Sequence, residues 1–454
     1  MNRTNTLINR LTPIQFVVLG YAAAVIAAAI LLALPVSLQP GVKLSFIDAL
    51  FTAVSAISVT GLTVVPTAET FSVFGTFVLM AAFQIGGIGV MALGTFLWLI
   101  LGRNVTLSYR RLIMIDTNRN NLAGLVSMMR ILFMITVAIE AAGAVLFAVY
   151  FYFAGYFDTW AQSLHSGLFH SVSSFTNAGF DIFGDSLHRF AGDYFVQTVT
   201  MILIFLGAIG FPVLLEVREY LIRRKIQKFR FSLFTKLTTC MFVALIIAGA
   251  VGIYFMEYHH FLEDKSWHEK IFYSLFNSVT TRSGGLSTMD MNDFNVPVQF
   301  LLAVLMFLGA SPSSVGGGIR TTTFAVILLT LYNYAKGKYE VRVFRRSIKN
   351  EDIQKSFIVF STAAMLVVCG IILLSWFEQS KFSLISIVFE VCSAFGTSGL
   401  TLGITGSLSG PGKMLIMLLM FIGRIGILSL LFIFRPKHNQ ENVHYPREEI
   451  IIGQ

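Results

Sequence analysis

Four short stretches of the sequence repeat one pattern of phenylalanine, hydroxyl and glycine residues. They are FTAVSAISVTGL from Phe51, FHSVSSFTNAGF from Phe169, the one-residue-shorter FNSVTTRSGGL from Phe276, and FEVCSAFGTSGL from Phe389. In each, Ser or Thr stands four residues after the phenylalanine, and a glycine precedes the closing Leu or Phe. These glycines are Gly61, Gly179, Gly285 and Gly399, and they are separated by about a quarter of the chain, so the pattern predicts four internal repeats.

The chemistry that these stretches offer is coordination by backbone oxygens. Glycine adopts φ values closed to other residues and leaves the neighbouring carbonyls unshielded. No Asp or Glu occurs in the four residues that end at each glycine. A ring of carboxylates is therefore disfavoured, whereas carbonyl coordination suits a large monovalent cation such as K+. The residues expected to line this filter, called filter segments 1 to 4 below, are Ser58, Val59, Thr60, Gly61; Thr176, Asn177, Ala178, Gly179; Ser283, Gly284, Gly285; and Gly396, Thr397, Ser398, Gly399.

Short helices are expected to position the filter segments. Ser45 precedes Asp48, and Ser266 precedes Glu269, at the spacing of a capping box, so a helix is predicted to begin at each and run toward its glycine. Four helix C-termini aimed at one point supply partial negative charge that favours a cation. Beyond each helix the chain returns in extended form, which a membrane interior tolerates only where the backbone lines a polar path.

The rest of the chain has the composition of a membrane protein. Its 454 residues are 55% hydrophobic and 13% charged, with a mean hydropathy of +0.74, against roughly 25% charged residues in soluble domains. Cys240, Cys369 and Cys392 are isolated in apolar runs, which indicates packing rather than disulfide or zinc chemistry. Eight apolar runs long enough to span a bilayer lie at about 13–34, 74–101, 128–155, 194–217, 236–256, 297–333, 356–377 and 413–434.

Basic residues concentrate in alternate connections. The connections at 103–119, 218–236 and 336–355 are strongly basic, which places them and both termini in the cytoplasm by the positive-inside rule. Each repeat then contains two spans, so all four share one orientation about an axis along the membrane normal. The predicted repeats are 1–104, 105–226, 227–346 with an interrupted second helix, and 347–436, followed by a cytoplasmic tail at 437–454.

A second motif recurs in the second helix of each repeat. It reads FQIGGIG from Phe83, FLGAIG from Phe205, FLGA from Phe307 and FIGRIG from Phe421. Two repeated motifs in the same order support the repeat assignment. The predicted fold is an all-α membrane protein with eight transmembrane helices and four short pore helices, arranged as four parallel helix–pore-loop–helix repeats around a pseudo-fourfold central pore.

This arrangement, with one filter glycine in each repeat, resembles the Trk/Ktr/HKT superfamily of K+ transporters over essentially the whole chain. Eight spans without a long amino-terminal extension resemble its KtrB/KtrD-type membrane subunits rather than the longer TrkH. The resemblance implies K+ uptake across the bacterial inner (plasma) membrane, in many members Na+-dependent as in a symporter. It also implies a homodimer controlled by a cytosolic nucleotide-binding ring subunit of the KtrA/KtrC type. The chain itself shows no nucleotide-binding domain and no sign of nucleic-acid binding, so nucleotide control is expected from the partner.

The sixth predicted span contains a break, formed by Ala310, Ser311, Pro312, Ser313, Ser314, Val315, Gly316, Gly317 and Gly318. A structural kink is one interpretation. The run is longer than one crossing needs, which favours a loop at membrane depth that lines the path, and in the resembled family the loop at this position is the gate. Arg424 in the eighth span would cost at least about 2.5 kcal/mol unpaired. It is expected to form a positive barrier with this loop; the alternative is a pairing that only joins helices.

Several further residues have open interpretations. Arg282 would block a filter if it pointed inward, so it is expected to point behind it, with Glu390 as one candidate acceptor. Arg320 is expected to meet the inner aqueous cavity, and Glu140 in the third span has no assigned role. The basic connections either satisfy the topology rule alone or also contact the ring subunit or anionic lipid.

Two other functions are alternatives to a channel-like K+ subunit. A secondary active transporter with alternating access is disfavoured because the repeats share one orientation and carry four filter segments. A membrane-embedded enzyme would need clusters of carboxylates or histidines within the spans, and the apolar runs are nearly empty of such residues.

Overall fold

The computed structural model describes residues 13–89, 125–223, 229–338, 340–379 and 381–433, and these residues are mostly helical. The basic connection at 103–119 and the predicted tail at 437–454 lie outside the described residues. The helices are α1 Pro13–Ala33, α2 Phe46–Ser58, α3 Thr67–Thr70, α4 Val73–Ile88, α5 Leu125–Phe153, α6 Trp160–Phe175, α7 Tyr194–Ala208, α8 Phe211–Arg223, α9 Leu233–Met256, α10 Trp267–Thr280, α11 Val296–Phe307, α12 Thr321–Ala335, α13 Asn350–Glu378, α14 Leu384–Gly396, α15 Gly410–Ile425 and α16 Ile427–Ile433.

Three of these helices contain continuous segments long and apolar enough to cross a membrane. They are Ser127–Phe153, Leu233–Met256 and Asn350–Phe377, and they confirm the runs predicted at 128–155, 236–256 and 356–377. The run predicted at 194–217 is divided into two helices, because α7 and α8 meet at an angle of 102°. The run at 413–434 is likewise divided into α15 and α16. The expected interruption of the run at 297–333 is present between α11 and α12.

The unpredicted breaks fall at the last glycine of the FIGRIG-type motif. Helix α4 ends before Gly89, α7 ends just before Gly210 and α15 ends before Gly426, and the φ values of these glycines are +96°, +101° and +89°. An α-helix cannot continue through such a residue, because its φ lies in the left-handed region. Hydropathy counts apolar residues and does not detect this change in backbone conformation, which explains why the sequence prediction missed the breaks.

Four short helices, α2, α6, α10 and α14, begin at capped residues and lead into the filter segments. Ser45 accepts the Asp48 N–H, and Ser266 and Glu269 form the predicted capping box. Thr159 and Ser383 cap the other two helices by accepting the N–H groups of Gln162 and Ser386. All four helices are therefore fixed at their first residue by a side-chain oxygen or a capping box.

Close backbone contact joins three of these short helices to the helix that follows. A Cβ atom built on Gly86 of α4, Gly207 of α7 or Gly423 of α15 would lie 2.0 Å from the carbonyl oxygen of Ile57, Phe175 or Phe395, respectively. Those carbonyls belong to the last turns of α2, α6 and α14. Only glycine permits this approach, so the motif glycines set the position of each helix C-terminus.

The described residues also contain a small two-stranded sheet, which the all-α prediction omitted. Strands β1 (Arg342–Val343) and β2 (Arg346–Ser347) pair antiparallel, with Arg342 opposite Ser347. The hairpin lies within the basic connection at 336–355. Phe344 and Arg345 between the strands have φ values of +48° and +64°, which matches the twist of a tight hairpin turn.

Candidate functional site

The four filter-segment glycines lie in a closed ring, in chain order. A Cβ built on Gly61 would lie 2.9 Å from the Gly179 Cα, and one on Gly179 would lie 2.9 Å from the Gly285 Cα. A Cβ on Gly399 would lie 3.0 Å from both the Gly285 Cα and the Gly61 Cα. Their φ values are +92°, +71°, +69° and +89°, so any other residue would be strained as well as in collision with backbone.

The carbonyl before each glycine lies beside the glycine of the neighbouring segment. A Cβ on Gly399 would meet the Thr60 oxygen at 2.2 Å, one on Gly61 the Ala178 oxygen at 2.8 Å. Those on Gly285 and Gly179 would meet the oxygens of Ser398 at 2.7 Å and Gly284 at 3.4 Å. The same relation therefore recurs at all four corners and gathers four backbone oxygens at one place, a ligand type that suits hard monovalent cations.

The backbone leading into each glycine is also the same in all four segments. Two residues before the glycine stands a residue of positive φ: Val59 at 57°, Asn177 at 55°, Ser283 at 68° and Thr397 at 48°. For β-branched Val59 and Thr397 this conformation is strained and persists only where the surroundings enforce it. The residue just before each glycine donates its N–H to the carbonyl of the hydroxyl residue of the pattern, over distances of 2.8 Å (Thr60 to Ser55), 2.8 Å (Ala178 to Ser173), 2.7 Å (Gly284 to Thr280) and 2.9 Å (Ser398 to Ser393).

Leu308 to Arg320, the segment between α11 and α12, lies directly against filter segments 3 and 4. The Gly317 N–H donates to the Thr397 Oγ1 at 2.8 Å, and a Cβ on Gly316 would lie 2.6 Å from the Ser283 Oγ. The same segment, called the 308–320 loop below, also binds the end of α7, where the Ser311 N–H donates to the Ala208 oxygen at 3.1 Å. Ala310, Ser311 and Val315 are fully buried. The predicted gate residues therefore pack against the predicted filter.

Arg424 joins this loop to the end of α4. The buried guanidinium donates to the carbonyls of Val315 and Gly316 in the loop, the latter at 3.4 Å, and to those of Gly86 and Gly87 in α4, the latter at 3.1 Å. Arg320 donates to two carbonyls of its own loop, Ser311 at 3.3 Å and Gly316. Two guanidinium groups thus share the Gly316 oxygen, which concentrates positive charge beside the filter.

Arg282 points away from its filter segment, but its partner differs from the one that the sequence suggested. Its guanidinium donates to the Leu308 oxygen at 2.6 Å and to the Leu305 oxygen, both at the end of α11. Glu390 instead accepts from Thr401 at 2.8 Å and from Thr405, so its role as the Arg282 acceptor is wrong. Helix-end carbonyls carry partial negative charge and can satisfy a cation without an acid.

Glu140, which the sequence left unassigned, contacts Gln84 of α4. The Gln84 amide donates to one carboxylate oxygen, and the other oxygen has no hydrogen-bond partner among the residues that the structure describes, although Glu140 is only 5% exposed. Gln84 lies just before Gly86 and Gly87, the Arg424 acceptors. Glu140 and Arg424 therefore contact the same last turn of α4, a relation that sequence reasoning missed because the two residues are far apart in the chain.

An ion pair joins the start of α15 to the start of the first short helix, α2. Lys413 at the start of α15 lies 2.7 Å from Asp48 in the first turn of α2. Burial acts to raise the pKa of Asp48, but hydrogen bonds from Lys413 and Ser45 and the Lys413 charge outweigh it, so the pKa lies below its ordinary value. The pair links residues from opposite ends of the sequence.

A mostly helical chain with apolar helices of membrane-spanning length and a buried ring of backbone carbonyls defines an integral membrane protein with an oxygen-lined site. The chain belongs to the TrkH family of cation transport proteins, whose model matches residues 5–445. It is 50% identical over 447 residues to the Ktr system potassium uptake protein D of Bacillus subtilis, with 98% of each chain covered. It is 38% identical over 452 residues to the Ktr system potassium uptake protein B of the same organism, covering 98% of this chain and 97% of that one.

A solved structure supports the fold. The potassium transporter TrkH from Vibrio parahaemolyticus superposes with a TM-score of 0.73 at 19% sequence identity, covering 94% of this chain and 86% of that one. At this identity the likeness concerns the fold.

Proposed function

We propose that this chain is the K+-translocating membrane subunit of a Ktr-type potassium uptake system. The observation that carries the proposal is the ring of four glycines, with one carbonyl oxygen beside each glycine and no carboxylate in the filter segments. Carbonyl oxygens replace the hydration shell of K+ in selective filters. Similarity to two proteins named as potassium uptake proteins, over nearly the full length of the chain, supports K+ as the transported ion.

The proposed architecture is four parallel repeats, at 1–104, 105–226, 227–346 and 347–436, around one pore in the bacterial plasma membrane, with both termini cytoplasmic. The recurrence of the same φ values, the same N–H to carbonyl bond and the same order of glycine contacts in four segments supports it. The C-termini of α2, α6, α10 and α14 lead into these segments and add partial negative charge. A K+ ion that loses its water at the filter is then stabilised by carbonyls and helix ends together.

The 308–320 loop and Arg424 form the proposed gate. The contacts of the loop with filter segments 3 and 4 support a position in the path of an ion that leaves the proposed filter, where the Arg424 and Arg320 charges would oppose a cation. Opening requires the loop to leave the filter and therefore to lose the bonds of Arg424 to Val315 and Gly316. Helix-to-helix pairing alone is a weaker explanation of Arg424, because half of its acceptors lie in the loop.

The remaining parts of the proposal rest on the family resemblance. They are Na+ dependence of transport, a homodimer, and control by a cytosolic nucleotide-binding ring subunit that contributes the nucleotide site. The chain is proposed to act as a transport protein and not as an enzyme. The basic β1–β2 hairpin is the surface of this chain that we assign to ring docking, since its Arg342, Arg345 and Arg346 are exposed.

The test is K+ uptake by a bacterium that lacks its own K+ uptake systems. The full chain is produced alone and together with a Ktr-type ring subunit, and uptake is measured at low external K+ with and without Na+. Uptake with the ring subunit, stimulated by Na+, is the expected result. Absence of uptake under both conditions, with the protein present in the membrane, would overturn the proposal, and Na+-independent uptake would overturn the Na+ coupling alone.

A further inference from the structure

The hydroxyl residue of the repeated pattern has two different hydrogen-bonding roles in the four repeats. All four of these residues, Ser55, Ser173, Thr280 and Ser393, are fully buried. The Ser55 Oγ accepts the Gly61 N–H at 3.1 Å, and the Ser393 Oγ accepts the Gly399 N–H at 3.0 Å. Repeats 1 and 4, which are neighbours in the ring, therefore use the hydroxyl as an acceptor for the filter glycine.

In repeats 2 and 3 the hydroxyl is a donor instead. The Ser173 Oγ donates to the Phe180 oxygen at 2.6 Å, and the Thr280 Oγ1 donates to the Leu286 oxygen at 2.6 Å. Phe180 and Leu286 each follow the filter glycine directly. The equivalent carbonyls of repeats 1 and 4 belong to Leu62 and Leu400, and the Ser55 and Ser393 oxygens serve the glycine N–H instead.

The helix ends differ only in where the last helical residue falls, because the left-handed residue stands two positions before the glycine in all four repeats. Helices α2 and α14 are followed at once by their left-handed residues, Val59 and Thr397. Helices α6 and α10 are followed first by a right-handed residue, Thr176 or Thr281, before the left-handed residue is reached. The pairing of segment 1 with 4 and of segment 2 with 3 therefore rests on the hydrogen bonds of the four hydroxyls.

Because of peptide geometry, this difference in hydrogen bonding affects how the backbone carbonyls around each filter glycine are directed. In a trans peptide the N–H and the preceding C=O point in opposite directions. The Ala178 and Gly284 carbonyls face the ring without such a bond, whereas binding of the glycine N–H by the hydroxyl additionally fixes the Thr60 and Ser398 carbonyls there, beside Gly399 and Gly285. Binding of the Phe180 and Leu286 carbonyls by hydroxyls turns those oxygens away from the ring.

We propose that Ser173 and Thr280 are specificity-determining residues that withdraw the Phe180 and Leu286 carbonyls from the outermost ion position of the filter. Ser55 and Ser393 act in the opposite sense, because they fix carbonyls that face the ion. This assignment rests on the proposed K+-conducting function. Fewer ligands at the outermost position favour fast exchange of the ion with water, since conduction requires binding that is not too tight.

The test compares two double variants for the KM of K+ uptake in the complete system with its ring subunit. Ser173→Ala with Thr280→Val frees two carbonyls and should lower the KM by roughly two- to tenfold, the range that one buried hydrogen bond spans. Ser55→Ala with Ser393→Ala removes the acceptors of two glycine N–H groups and should raise the KM by a similar factor. A purely structural role of the hydroxyls would lower the amount of protein and the maximal rate in both double variants without moving the KM in opposite directions.

Matched variants that keep the hydroxyl serve as controls. Ser173→Thr and Thr280→Ser should retain the wild-type KM. If a double variant fails to reach the membrane, the KM of Thr280→Val is compared with the KM of Thr280→Ser instead. An unchanged KM in the double variants, or a shift of the KM in the same direction for both, overturns the assignment of the hydroxyls. Normal K+ uptake by the wild type in the same experiment leaves the proposed function intact. Absence of K+ uptake by the wild type overturns both.

Discussion

Replacement of Arg424 by methionine tests the proposed gate through its best-defined contact. The guanidinium binds Val315 and Gly316 in the 308–320 loop and Gly86 and Gly87 at the end of α4. Methionine has a similar length and no charge, so it removes these bonds with a small change in volume. The wild-type side chain is 9% exposed, and water cannot replace it as a donor without entering the site.

The expected magnitude follows from the two hydrogen bonds of Arg424 to the loop. A hydrogen bond that involves a charged group contributes about 1.5 to 3 kcal/mol. The two bonds to the loop at the low end of that range give about 3 kcal/mol in favour of the closed state. Because each 1.4 kcal/mol is a factor of ten, their loss should raise the ratio of open to closed protein on the order of a hundredfold.

The assay is K+ or Rb+ influx into liposomes that contain the purified chain without a ring subunit. Arg424→Met should show influx far above the wild type, up to the limit that the filter sets. Arg424→Lys should be intermediate, because an ammonium group keeps the charge but cannot donate to four carbonyls in a fork. Influx by Arg424→Met at or below the wild-type rate, at equal protein per liposome, would refute the idea that this residue holds the loop closed.

Three further outcomes are expected. Thr397→Val removes the acceptor of the Gly317 N–H and should raise K+ influx without the ring subunit by roughly two- to tenfold, whereas Thr397→Ser should not. Equal influx in the two variants would contradict a role of this hydrogen bond in closing the gate. Lys413→Met should lower thermal stability at pH 7 by about 1 kcal/mol. The pKa of Asp48 is lowered in the folded protein, so this contribution to stability is present above its ordinary pKa of 3.8 and is lost as pH falls through the lower folded pKa. The thermal stabilities of the variant and the wild type should therefore converge in acid. A constant difference in stability between pH 7 and pH 3 would argue against the pair. Glu140→Gln removes a buried carboxylate that receives only the Gln84 amide within the described ranges and should leave the protein as stable or more so, by thermal unfolding; a marked loss of stability would point to a charge partner of Glu140.

The repeat pattern carried most of what the sequence could predict. Period, glycine positions and capping signals located the four short helices and their order, since these features are local in the chain. The breaks at Gly210 and Gly426 were missed because an apolar run has the same hydropathy whether or not one glycine adopts a positive φ. The motif ends in Ile-Gly at Gly89, Gly210 and Gly426, and this shared ending is the sequence signal for the helix ends at these positions.

Partners of the buried charges could not be derived from the sequence. Arg282 and Arg424 donate to backbone carbonyls, and every residue has a backbone carbonyl. The residue types in the sequence therefore do not indicate which carbonyls accept these hydrogen bonds. The same limit applies to Ser55 and Ser173, which are one residue type at one repeat position and yet play opposite hydrogen-bonding roles. Side-chain identity predicts which residues form the proposed site, and the backbone conformation decides how its oxygens are directed.

The ratio of K+ to Na+ uptake in Gly399→Ser, compared with the wild type, tests the central claim most directly. A Cβ at this position would lie 2.2 Å from the Thr60 oxygen and would have to adopt a φ of +89°, so the ring of carbonyls cannot keep its geometry. A carbonyl filter predicts that the variant, present in the membrane at wild-type amounts, loses much of its preference for K+ over Na+. An unchanged preference would contradict the claim that these four glycines form the K+ filter.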